Sequence, residues 1–392
     1  MGDISLLDWI NDKPRDNLSA IDGCRGLDVW TYCNPVRIKF GEGAFDAVGG
    51  LVAGRRYLLV TYGEPVFREL AERLARTAGV PALVLDDVKP NPDRSDLAAQ
   101  CQRVADLPRA PEVVVAVGGG SVIDTAKVVA AARRGFAPVW DVLTSGRGSE
   151  SLDPLPIIAV PTTAGTGSEV TSWATVWDGS GGRKYSLAAH ALHPTDAVLD
   201  PELTLSCPRG LTISTGLDAL SHALESIWNR NANPVSAIHA VAAAREILDV
   251  LPALSRQLSS RDLRARMLRA SMFSGLAFSN TKTAIAHSMS YPVTLRHGTV
   301  HGVACSFTLP MVLRSVIGVD AACDDALARI FGPDLKAGAA RLQGFLAELG
   351  VSTRPADHGL APAEWRAIVE DALGGERGLN FIGSKEALLA EI

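Results

Sequence analysis

Four residues in the C-terminal half of the sequence have side chains of the types that bind divalent metal ions in proteins. Asp218 and His222 lie four residues apart in the apolar segment TGLDALSHALES, so on a helix both would point from one face. A carboxylate among leucines is costly unless its charge is compensated, and a metal ion would compensate it. His287 in AIAHSMSYP and His301 in TVHGV complete a four-coordinate set of one carboxylate and three imidazoles.

Each of these histidines also has a structural interpretation. A single imidazole in an apolar segment is more often a satisfied core or surface residue than a ligand, so the hypothesis depends on all four residues together. Four other histidines lack a comparable context and are interpreted as ordinary residues: His190, His193, His239 and His358. His297 lies beside the cluster in the sequence, and both interpretations stay open for it.

A glycine-rich turn in the N-terminal half predicts a second site, for a phosphate group. The apolar run Val113–Val117 is followed by the turn GGGS at Gly118–Ser121 and by a helix start that contains Asp124. Glycines let backbone N–H groups approach a pyrophosphate, and a helix N-terminus adds partial positive charge. The turn matches neither GxGxxG nor GxxxxGKS/T, so an unliganded βα turn is the alternative. The polar turn Pro161–Thr171, after the next apolar strand, favours the binding site.

The elements that would position these two sites differ between the halves of the chain. From about residue 36 to 200, short apolar strands alternate with amphipathic helices, which is typical of an α/β fold with a doubly wound parallel sheet. After about Pro201 the sequence has helical periodicity and almost no strand signal. We therefore predict a nucleotide-binding α/β domain over residues 1–204 and an all-helical domain for metal and substrate over residues 205–392.

Length, composition and charge exclude several classes of protein. The chain of 392 residues exceeds the size at which single cores usually divide, and its 47% hydrophobic content argues against disorder. The net charge of −5 argues against binding to nucleic acid or to a membrane surface. No apolar run could span a bilayer, and the first 16 residues carry neither a secretion signal nor a complete myristoylation motif. We expect a cytoplasmic protein with reduced cysteines, and the oligomeric state, a homo-oligomer included, stays open.

Several segments together resemble the iron-containing (group III) alcohol dehydrogenase family. They are GGGSVIDTAK (Gly118–Lys127), PTTAGTGSEVT (Pro161–Thr171), DPEL (Asp200–Leu203), TGLDALSHALES (Thr215–Ser226), FSN (Phe278–Asn280), AHSMSYP (Ala286–Pro292), HG (His301–Gly302) and LP (Leu309–Pro310). The resemblance implies a two-domain dehydrogenase that binds NADPH or NADH in its N-terminal half. It also implies one divalent metal, Fe²⁺ or alternatively Zn²⁺, on the four residues described first.

The resemblance and the two turns predict where the nicotinamide cofactor binds. The predicted cofactor-binding residues are Tyr62, Asn91, Gly118, Gly119, Gly120, Ser121, Asp124, Thr162, Thr163, Thr166, Thr171 and Lys184. Lys184 would contact a ribose, although GGRKYS is also the sequence of a basic β-turn. Tyr62 stands where family members that use NAD often have an acid, so no carboxylate would repel a 2′-phosphate there. We therefore predict that NADPH serves at least as well as NADH.

The chain departs from the family pattern after the third predicted ligand. Tyr291 occupies the position, four residues after His287, at which the family commonly has a histidine proposed as an acid/base. Tyr291 is therefore a candidate catalytic residue and proton donor, and water or a ribose hydroxyl relay are the alternatives.

Two cations near the ligands form a second departure. Lys282 lies five residues before His287, and Arg296 lies five residues before His301, where common family members have uncharged residues. A cation beside a metal site needs a negative partner. We predict that Lys282 and Arg296, together with His297, hold an anionic group of the substrate. The alternative is that these side chains face solvent or pair with nearby acids.

These observations predict a metal-dependent oxidoreductase that transfers a hydride between a nicotinamide cofactor and a small aldehyde. The segments NTKTAIAHSMSYPVTLRHGTVHG and WTYCNPVRIKFGEGA resemble the phosphonoacetaldehyde reductase branch of the family, which serves phosphonate natural-product pathways. The predicted reaction is reduction of phosphonoacetaldehyde to 2-hydroxyethylphosphonate. The alternatives are a general short-chain alcohol or diol dehydrogenase, a lyase similar to dehydroquinate synthase, and a metal-free binding protein.

Overall fold

Short strands of the N-terminal half build a parallel sheet in the structure, a computed structural model that describes residues 29–392. The strands are β1 (Arg37–Phe40), β2 (Tyr57–Val60), β3 (Leu83–Leu85), β4 (Val113–Gly118), β5 (Ile157–Pro161), β6 (Trp173–Asp178), β7 (Arg183–Ala188) and β8 (Asp196–Leu199). Six of them form one sheet in the order β1-β8-β5-β4-β2-β3, and every neighbouring pair is parallel. The predictions made for the first 16 residues lie outside the described residues.

The central strand β4 shows why these strands read as continuous apolar runs. Val113, Val115 and Val117 pack into an apolar cluster on one face of the sheet. Val114 and Ala116 pack into a different cluster on the other face. All five side chains are at most 2% exposed. Because successive side chains point to opposite faces, a strand covered by helices on both sides needs apolar residues at every position.

Helices on both faces complete the doubly wound arrangement, which confirms the predicted fold class. They are α1 (Val48–Val52), α2 (Pro65–Ala78), α3 (Arg94–Ala105), α4 (Gly120–Ala131) and α5 (Phe136–Ser145). Helix α2 ends as predicted at Gly79, whose positive φ of 81° is a backbone conformation that glycine adopts readily.

The C-terminal half is helical, as predicted, and shares one large apolar core. Its helices are α6 (Arg209–Ile227), α7 (Pro234–Arg256), α8 (Arg261–Thr281), α9 (Ile285–His297), α10 (His301–Ser306), α11 (Leu309–Val316), α12 (Ala321–Phe331), α13 (Leu335–Glu348), α14 (Pro362–Gly374) and α15 (Lys385–Leu389). Residues Tyr32–Ile392 pack as one compact unit, and the division at residue 204 stays a prediction. Among residues 29–392, no helix has the length and apolarity that a membrane crossing requires.

The antiparallel hairpin of β6 and β7 is a feature that the sequence did not predict. Trp173–Asp178 alternates between half-buried and buried positions, so one face of the hairpin covers the core while the other lines a cavity. Lys184 lies on strand β7 rather than in the turn, which corrects the interpretation of GGRKYS as a basic turn. The hairpin thereby carries a lysine towards the helical half.

Candidate active site

Three helices bring the four predicted metal-site residues together. Asp218 and His222 lie one turn apart on α6, and both are buried. His287 lies in the first turn of α9, and His301 is the first residue of α10. The fold therefore brings together four side chains of which the first, Asp218, and the last, His301, are more than 80 residues apart in the sequence.

The close approach of α10 to α6 explains the glycine that follows His301. A Cβ atom on Gly302 would lie 1.8 Å from the carbonyl oxygen of Ser214, a distance at which atoms overlap. Only glycine lets the two helices approach this closely, and the approach places His301 opposite Asp218.

One carboxylate oxygen, Oδ1 of Asp218, lies at the centre of the cluster. It is 3.8 Å from Nε2 of His222 and 3.4 Å from Nε2 of His287. The third imidazole, that of His301, has its Nε2 atom 3.9 Å away. Within the described part of the chain, Asp218 Oδ1 and His287 Nε2 are buried without a hydrogen-bond partner. Such atoms are costly when unpaired, and a divalent ion would satisfy them, so this donor set fits one metal ion.

Three of the four groups have protonation states that suit metal binding. The exception is His287: burial would lower its pKa, but Glu225 and Asp218 outweigh burial and raise that pKa well above its ordinary value, so this ring must lose a proton to bind a metal. Burial lowers the pKa of His222 to about 4 and that of His301 to about 3, although Asp218 opposes both shifts. Both rings are therefore neutral at pH 7 and keep a lone pair for a metal. Burial would raise the pKa of Asp218, but the surrounding histidines outweigh it and hold that pKa below its ordinary value. The carboxylate is therefore ionised.

Two residues that the sequence analysis missed surround His287 and His301. Glu225 is fully buried, and its Oε2 atom lies 2.6 Å from Nδ1 of His287. Cys305 is buried one helical turn after His301, with its Sγ atom 3.6 Å from that ring's Nε2. Burial raises the pKa of Cys305 and keeps the thiol protonated. Glu225 lies on the same face of α6 as Asp218 and His222, a spacing that could have revealed it.

The glycine turn lies where the sequence placed it, between β4 and α4. Gly119 has an extended conformation, and the helix starts at Gly120. A Cβ on Gly120 would lie 2.6 Å from Thr166 Cγ2, so the turn also needs glycine for its own packing. The second polar turn thus packs directly against the first, and both lie at the carboxyl end of the sheet.

The predicted cofactor-binding residues fall into two groups in the structure. One group lines a cavity of about 310 Å³ that also contains the metal-site residues, and its members are Asn91, Gly120, Ser121, Asp124, Thr166, Thr171 and Lys184. The other group lies outside the cavity lining: Tyr62, Gly118, Gly119, Thr162 and Thr163. Members of the second group still approach the turn, since a Cβ on Gly119 would lie 3.3 Å from Thr163 and 3.6 Å from the hydroxyl of Tyr62.

Asp124 has an internal role as well as a place in the cavity lining. Its Oδ1 accepts a 2.6 Å hydrogen bond from the hydroxyl of Ser168, and its Oδ2 accepts one from the backbone N–H of Thr175. The buried amine of Lys127 donates to the carbonyl oxygens of Ser168 and Trp173, each at 2.7 Å. These groups tie α4 to the second turn and to β6, which supports the positions of both turns.

The cavity wall beside the metal-site residues carries three cations, Lys184, Lys282 and Arg377, and the carboxylate of Glu376. Lys184 has its amine 4.1 Å from the ring centre of Tyr291, and the guanidinium of Arg377 lies 5.0 Å from the same ring. Lys282 lines the same cavity, and its amine is 3.9 Å from the carboxylate of Glu376. Tyr291 itself lies nearly parallel to the ring of His301. Arg377 was not anticipated from the sequence, because it stands in no recognisable motif.

Two of the three predicted substrate residues are not brought to this cavity. Arg296 is 66% exposed in its side chain and lies 3.8 Å from Glu364. His297 has its Nε2 atom 3.0 Å from the same carboxylate. Both lie at the C-terminal end of α9, away from the cavity lining. Glu364 is therefore the acidic partner of both Arg296 and His297. Of the three predicted substrate residues, Lys282 is the one that reaches the cavity.

Comparison with known proteins gives the class of this protein. Residues 35–201 match the sequence pattern of iron-containing alcohol dehydrogenases, and residues 212–384 match that of the C-terminal part of the same family. The chain belongs to the iron-containing alcohol dehydrogenase family and is an oxidoreductase. The predicted family and enzyme class are confirmed, and membership favours a dehydrogenase over the lyase considered above.

Three members of this family illustrate how similar the chain is to proteins of known activity. The chain is 32% identical over 287 residues to the NAD-dependent methanol dehydrogenase of Bacillus methanolicus, which covers 71% of this chain and 74% of that protein. It is 36% identical over 243 residues to the phosphonoacetaldehyde reductase of Streptomyces viridochromogenes, which covers 60% of each. The crystal structure of sulfoacetaldehyde reductase from Bifidobacterium kashiwanohense in complex with NAD⁺ superposes with a TM-score of 0.84 at 30% identity, covering 92% of this chain and 97% of that one.

Proposed function

We propose that the protein reduces phosphonoacetaldehyde to 2-hydroxyethylphosphonate with a reduced nicotinamide cofactor, in phosphonate natural-product biosynthesis. The observation that carries this proposal is the positive charge of the cavity wall beside the metal-site residues. Lys282 and Arg377 line the cavity that also contains His287 and Tyr291. An uncharged aldehyde offers these cations no partner, whereas a phosphonate group can accept hydrogen bonds from both.

The reaction is a hydride transfer with a proton transfer. The hydride moves from the reduced nicotinamide to the carbonyl carbon, a proton moves to the carbonyl oxygen, and the cofactor leaves oxidised. A divalent ion would act there as a Lewis acid towards the carbonyl oxygen. The residues proposed to hold that ion are Asp218, His222, His287 and His301. Cys305 lies in the same cluster, and its sulfur and the ligand atoms of Asp218, His287 and His301 all lie within 4.8 Å of one another.

The chain's own residues divide the remaining tasks. The turn at Gly118–Ser121 would hold the pyrophosphate of the cofactor at the N-terminus of α4. Lys184 lines the same cavity, and its amine is 4.1 Å from the ring centre of Tyr291, so it would bind a ribose hydroxyl of the cofactor there. The phenol of Tyr291 faces the same cavity, and Tyr291 and water are the two candidate proton donors.

The relatives named above support an aldehyde that carries an anionic group. Phosphonoacetaldehyde and sulfoacetaldehyde, the compounds in the names of two of them, are both acetaldehydes with a tetrahedral oxyanion on the second carbon. The methanol dehydrogenase among the relatives favours a second candidate, a short-chain alcohol dehydrogenase that acts on uncharged substrates. The positive cavity wall is the observation that separates the two candidates.

An aldehyde panel tests the proposal. We expect the metal-loaded wild-type protein to reduce phosphonoacetaldehyde with a higher kcat/KM than propanal, measured by nicotinamide absorbance. Lys282→Ala should lower kcat/KM for the phosphonate substrate by a factor that corresponds to roughly 1.5–3 kcal/mol, the worth of one charged hydrogen bond. The same variant should leave the kcat/KM for propanal nearly unchanged. A wild-type preference for propanal would instead establish the second candidate.

A further inference from the structure

The segment that follows helix α14 returns to the cavity and contributes residues that no motif indicated. Glu376, Arg377 and Asn380 all line the cavity, on the wall that carries Lys282. A short 3-10 turn at Gly378–Asn380 follows Glu376 and Arg377 and contains Asn380. A Cβ on Gly378 would lie 2.2 Å from the carbonyl oxygen of Ala372, so the segment is packed tightly against the end of α14. This wall of the cavity is therefore formed by a tightly packed segment of the fold.

The guanidinium of Arg377 is held in place by a hydrogen bond from one of its three nitrogens. Its Nε atom donates a 3.0 Å hydrogen bond to the hydroxyl of Thr283. Asn380 donates a 2.9 Å hydrogen bond to the carbonyl oxygen of the same Thr283. Among residues 29–392, the two terminal nitrogens of Arg377 have no hydrogen-bond or ion-pair partner. A guanidinium held through Nε presents its remaining N–H groups as a fixed fork, the geometry that grips a tetrahedral oxyanion.

Lys282 is held beside this fork in an unusual backbone conformation. Its φ is 63°, one of three positive values at residues other than glycine in the described part of the chain. The side chain of Asn229 donates a 3.1 Å hydrogen bond to the carbonyl oxygen of Lys282. A lysine persists in this region only when its surroundings hold it, and such conformations cluster at functional sites. Its contact with the exposed Glu376 is long, so the amine can turn to another anion.

We propose that Arg377 and Lys282 form the subsite that binds the anionic group of the substrate, with Arg377 as the specificity-determining residue. This inference rests on the proposed function and names the residues that recognise its substrate class, a short aldehyde with a phosphonate or sulfonate. Thr283 connects the two cations, because it follows Lys282 in the chain and accepts the hydrogen bond from Arg377. Lys282, Thr283 and the proposed ligand His287 thus belong to one continuous stretch of chain, Lys282–His287, to which Arg377 is joined through Thr283.

Three variants test the subsite. Arg377→Gln removes the charge, Arg377→Lys keeps the charge but loses the fork, and Arg296→Gln is the matched control on an arginine outside the cavity. For each protein, kcat/KM is measured with phosphonoacetaldehyde, sulfoacetaldehyde and propanal. Binding of 2-hydroxyethylphosphonate to the complex with oxidised cofactor is measured by calorimetry. The calorimetric arm needs no turnover.

We expect Arg377→Gln to lower kcat/KM for both anionic aldehydes by roughly 10- to 100-fold, mainly through KM, and to weaken binding of 2-hydroxyethylphosphonate similarly. Its kcat/KM for propanal should stay within about twofold. Arg377→Lys should fall between wild type and Arg377→Gln, because a lysine supplies a point charge without the fork. Arg296→Gln should match wild type on all three aldehydes.

The outcomes separate the subsite from the proposed function. If wild type prefers the anionic aldehydes and Arg377→Gln keeps that preference, the subsite is wrong and the proposed function stands. Equal losses on charged and uncharged aldehydes would likewise overturn the subsite, because they indicate a general structural role. If wild type prefers propanal and does not bind 2-hydroxyethylphosphonate, both proposals fall. The ratio between the phosphonate and sulfonate substrates of wild type tells which oxyanion the wall fits better.

Discussion

At the scale of single residues, Tyr62 shows how a side chain beside a glycine turn can influence cofactor choice. It follows strand β2, and its ring packs edge-on against Phe67 with 5.0 Å between the ring centres. Its hydroxyl lies near Gly119, and burial raises its pKa to about 12. The side chain is therefore a neutral phenol at the carboxyl end of the sheet, next to the turn proposed to hold the pyrophosphate.

A substitution at Tyr62 tests the predicted use of NADPH. Tyr62→Asp should shift the ratio of kcat/KM values towards NADH by about tenfold, or about 1.4 kcal/mol, because a carboxylate there would repel a 2′-phosphate. The measurement is kcat/KM with each cofactor at a saturating aldehyde concentration. Tyr62→Phe is the control, since it keeps the neutral ring and should leave the ratio unchanged. The idea is wrong if the wild-type protein uses NADH at least tenfold better than NADPH.

At the scale of elements, the start of helix α9 depends on a carboxylate from another helix. Glu225 of α6 accepts hydrogen bonds from the backbone N–H groups of Ala284, Ala286 and His287, at 2.9, 2.5 and 3.1 Å. These are groups that a helix leaves unpaired at its N-terminus, where negative charge is also favourable. The same carboxylate faces Nδ1 of His287 and favours a proton on that nitrogen, so Nε2 is the ring atom that would give up its proton and bind a metal ion.

Replacing this carboxylate by its amide should weaken the metal site. Glu225→Gln has nearly the same shape, but its NH₂ group must face either the backbone N–H groups or Nδ1 of His287. We expect a 10- to 100-fold loss of affinity for the divalent ion, the usual effect of a changed partner behind a metal-binding histidine. The measurement is titration of the metal-free protein with Zn²⁺ or Co²⁺ against a competing chelator.

Two reference variants make this titration interpretable. Glu225→Asp keeps the charge and should lose less affinity than Glu225→Gln. His222→Ala removes a proposed direct ligand and should lose most of the bound metal. Circular dichroism of the metal-free variants checks that the helices still form. Unchanged metal affinity in Glu225→Gln would rule out this positioning role, and full metal occupancy in His222→Ala would rule out the ligand assignment.

At the scale of the whole molecule, a buried charged group lies where the sheet meets the helical half. Glu169 is 2% exposed and lies in the second polar turn. Burial raises its pKa to about 7, although the nearby amine of Lys127 opposes the shift. A Cβ on Gly167, in the same turn, would lie 2.6 Å from the Cα of Gly275 on α8. The acid is therefore enclosed in tight packing between the two halves.

This burial predicts how the free energy of unfolding changes with pH. The folded pKa of Glu169 lies above the unfolded value of about 4.5, so the folded state holds the proton more tightly. The contribution of Glu169 to the free energy of unfolding is fully present below about pH 4.5 and is lost as the pH rises through about 7. The loss is on the order of 3 kcal/mol, at about 1.4 kcal/mol for each pKa unit. Glu169→Gln should therefore gain stability relative to wild type as the pH rises from 4.5 to 8.

Chemical unfolding at a series of pH values checks this expectation. Both proteins are kept metal-free with a chelator, because metal binding would add its own pH dependence. Glu150→Gln, at an exposed glutamate, is the control and should follow the wild-type curve. Parallel curves for wild type and Glu169→Gln would contradict the expectation, because they would show that folding does not raise the pKa of Glu169.

Local spacing in the sequence determined much of the fold and the first half of the candidate site. The strand Val113–Val117 and its glycine turn follow from an unbroken apolar run and from residue types that only a turn tolerates. The pair Asp218 and His222 lies on one face because an α-helix has 3.6 residues per turn. These features depend on neighbours a few residues apart, so they can be predicted without the tertiary structure. The hairpin of β6 and β7 was not predicted because its half-buried strands lack a strong apolar run in the sequence.

Tertiary structure alone decided which cations face the substrate. Lys282 and Arg296 both lie five residues before a proposed ligand, but Lys282 is in the turn that opens into the cavity. Arg296 lies nine residues after His287 on the same helix, which at 1.5 Å per residue moves it about 13 Å along the axis. Arg377 is distant in sequence from every proposed ligand, and only the packing of its segment against Thr283 brings it to the wall. Sequence spacing measures distance along the chain, whereas a binding site depends on distance through the folded core.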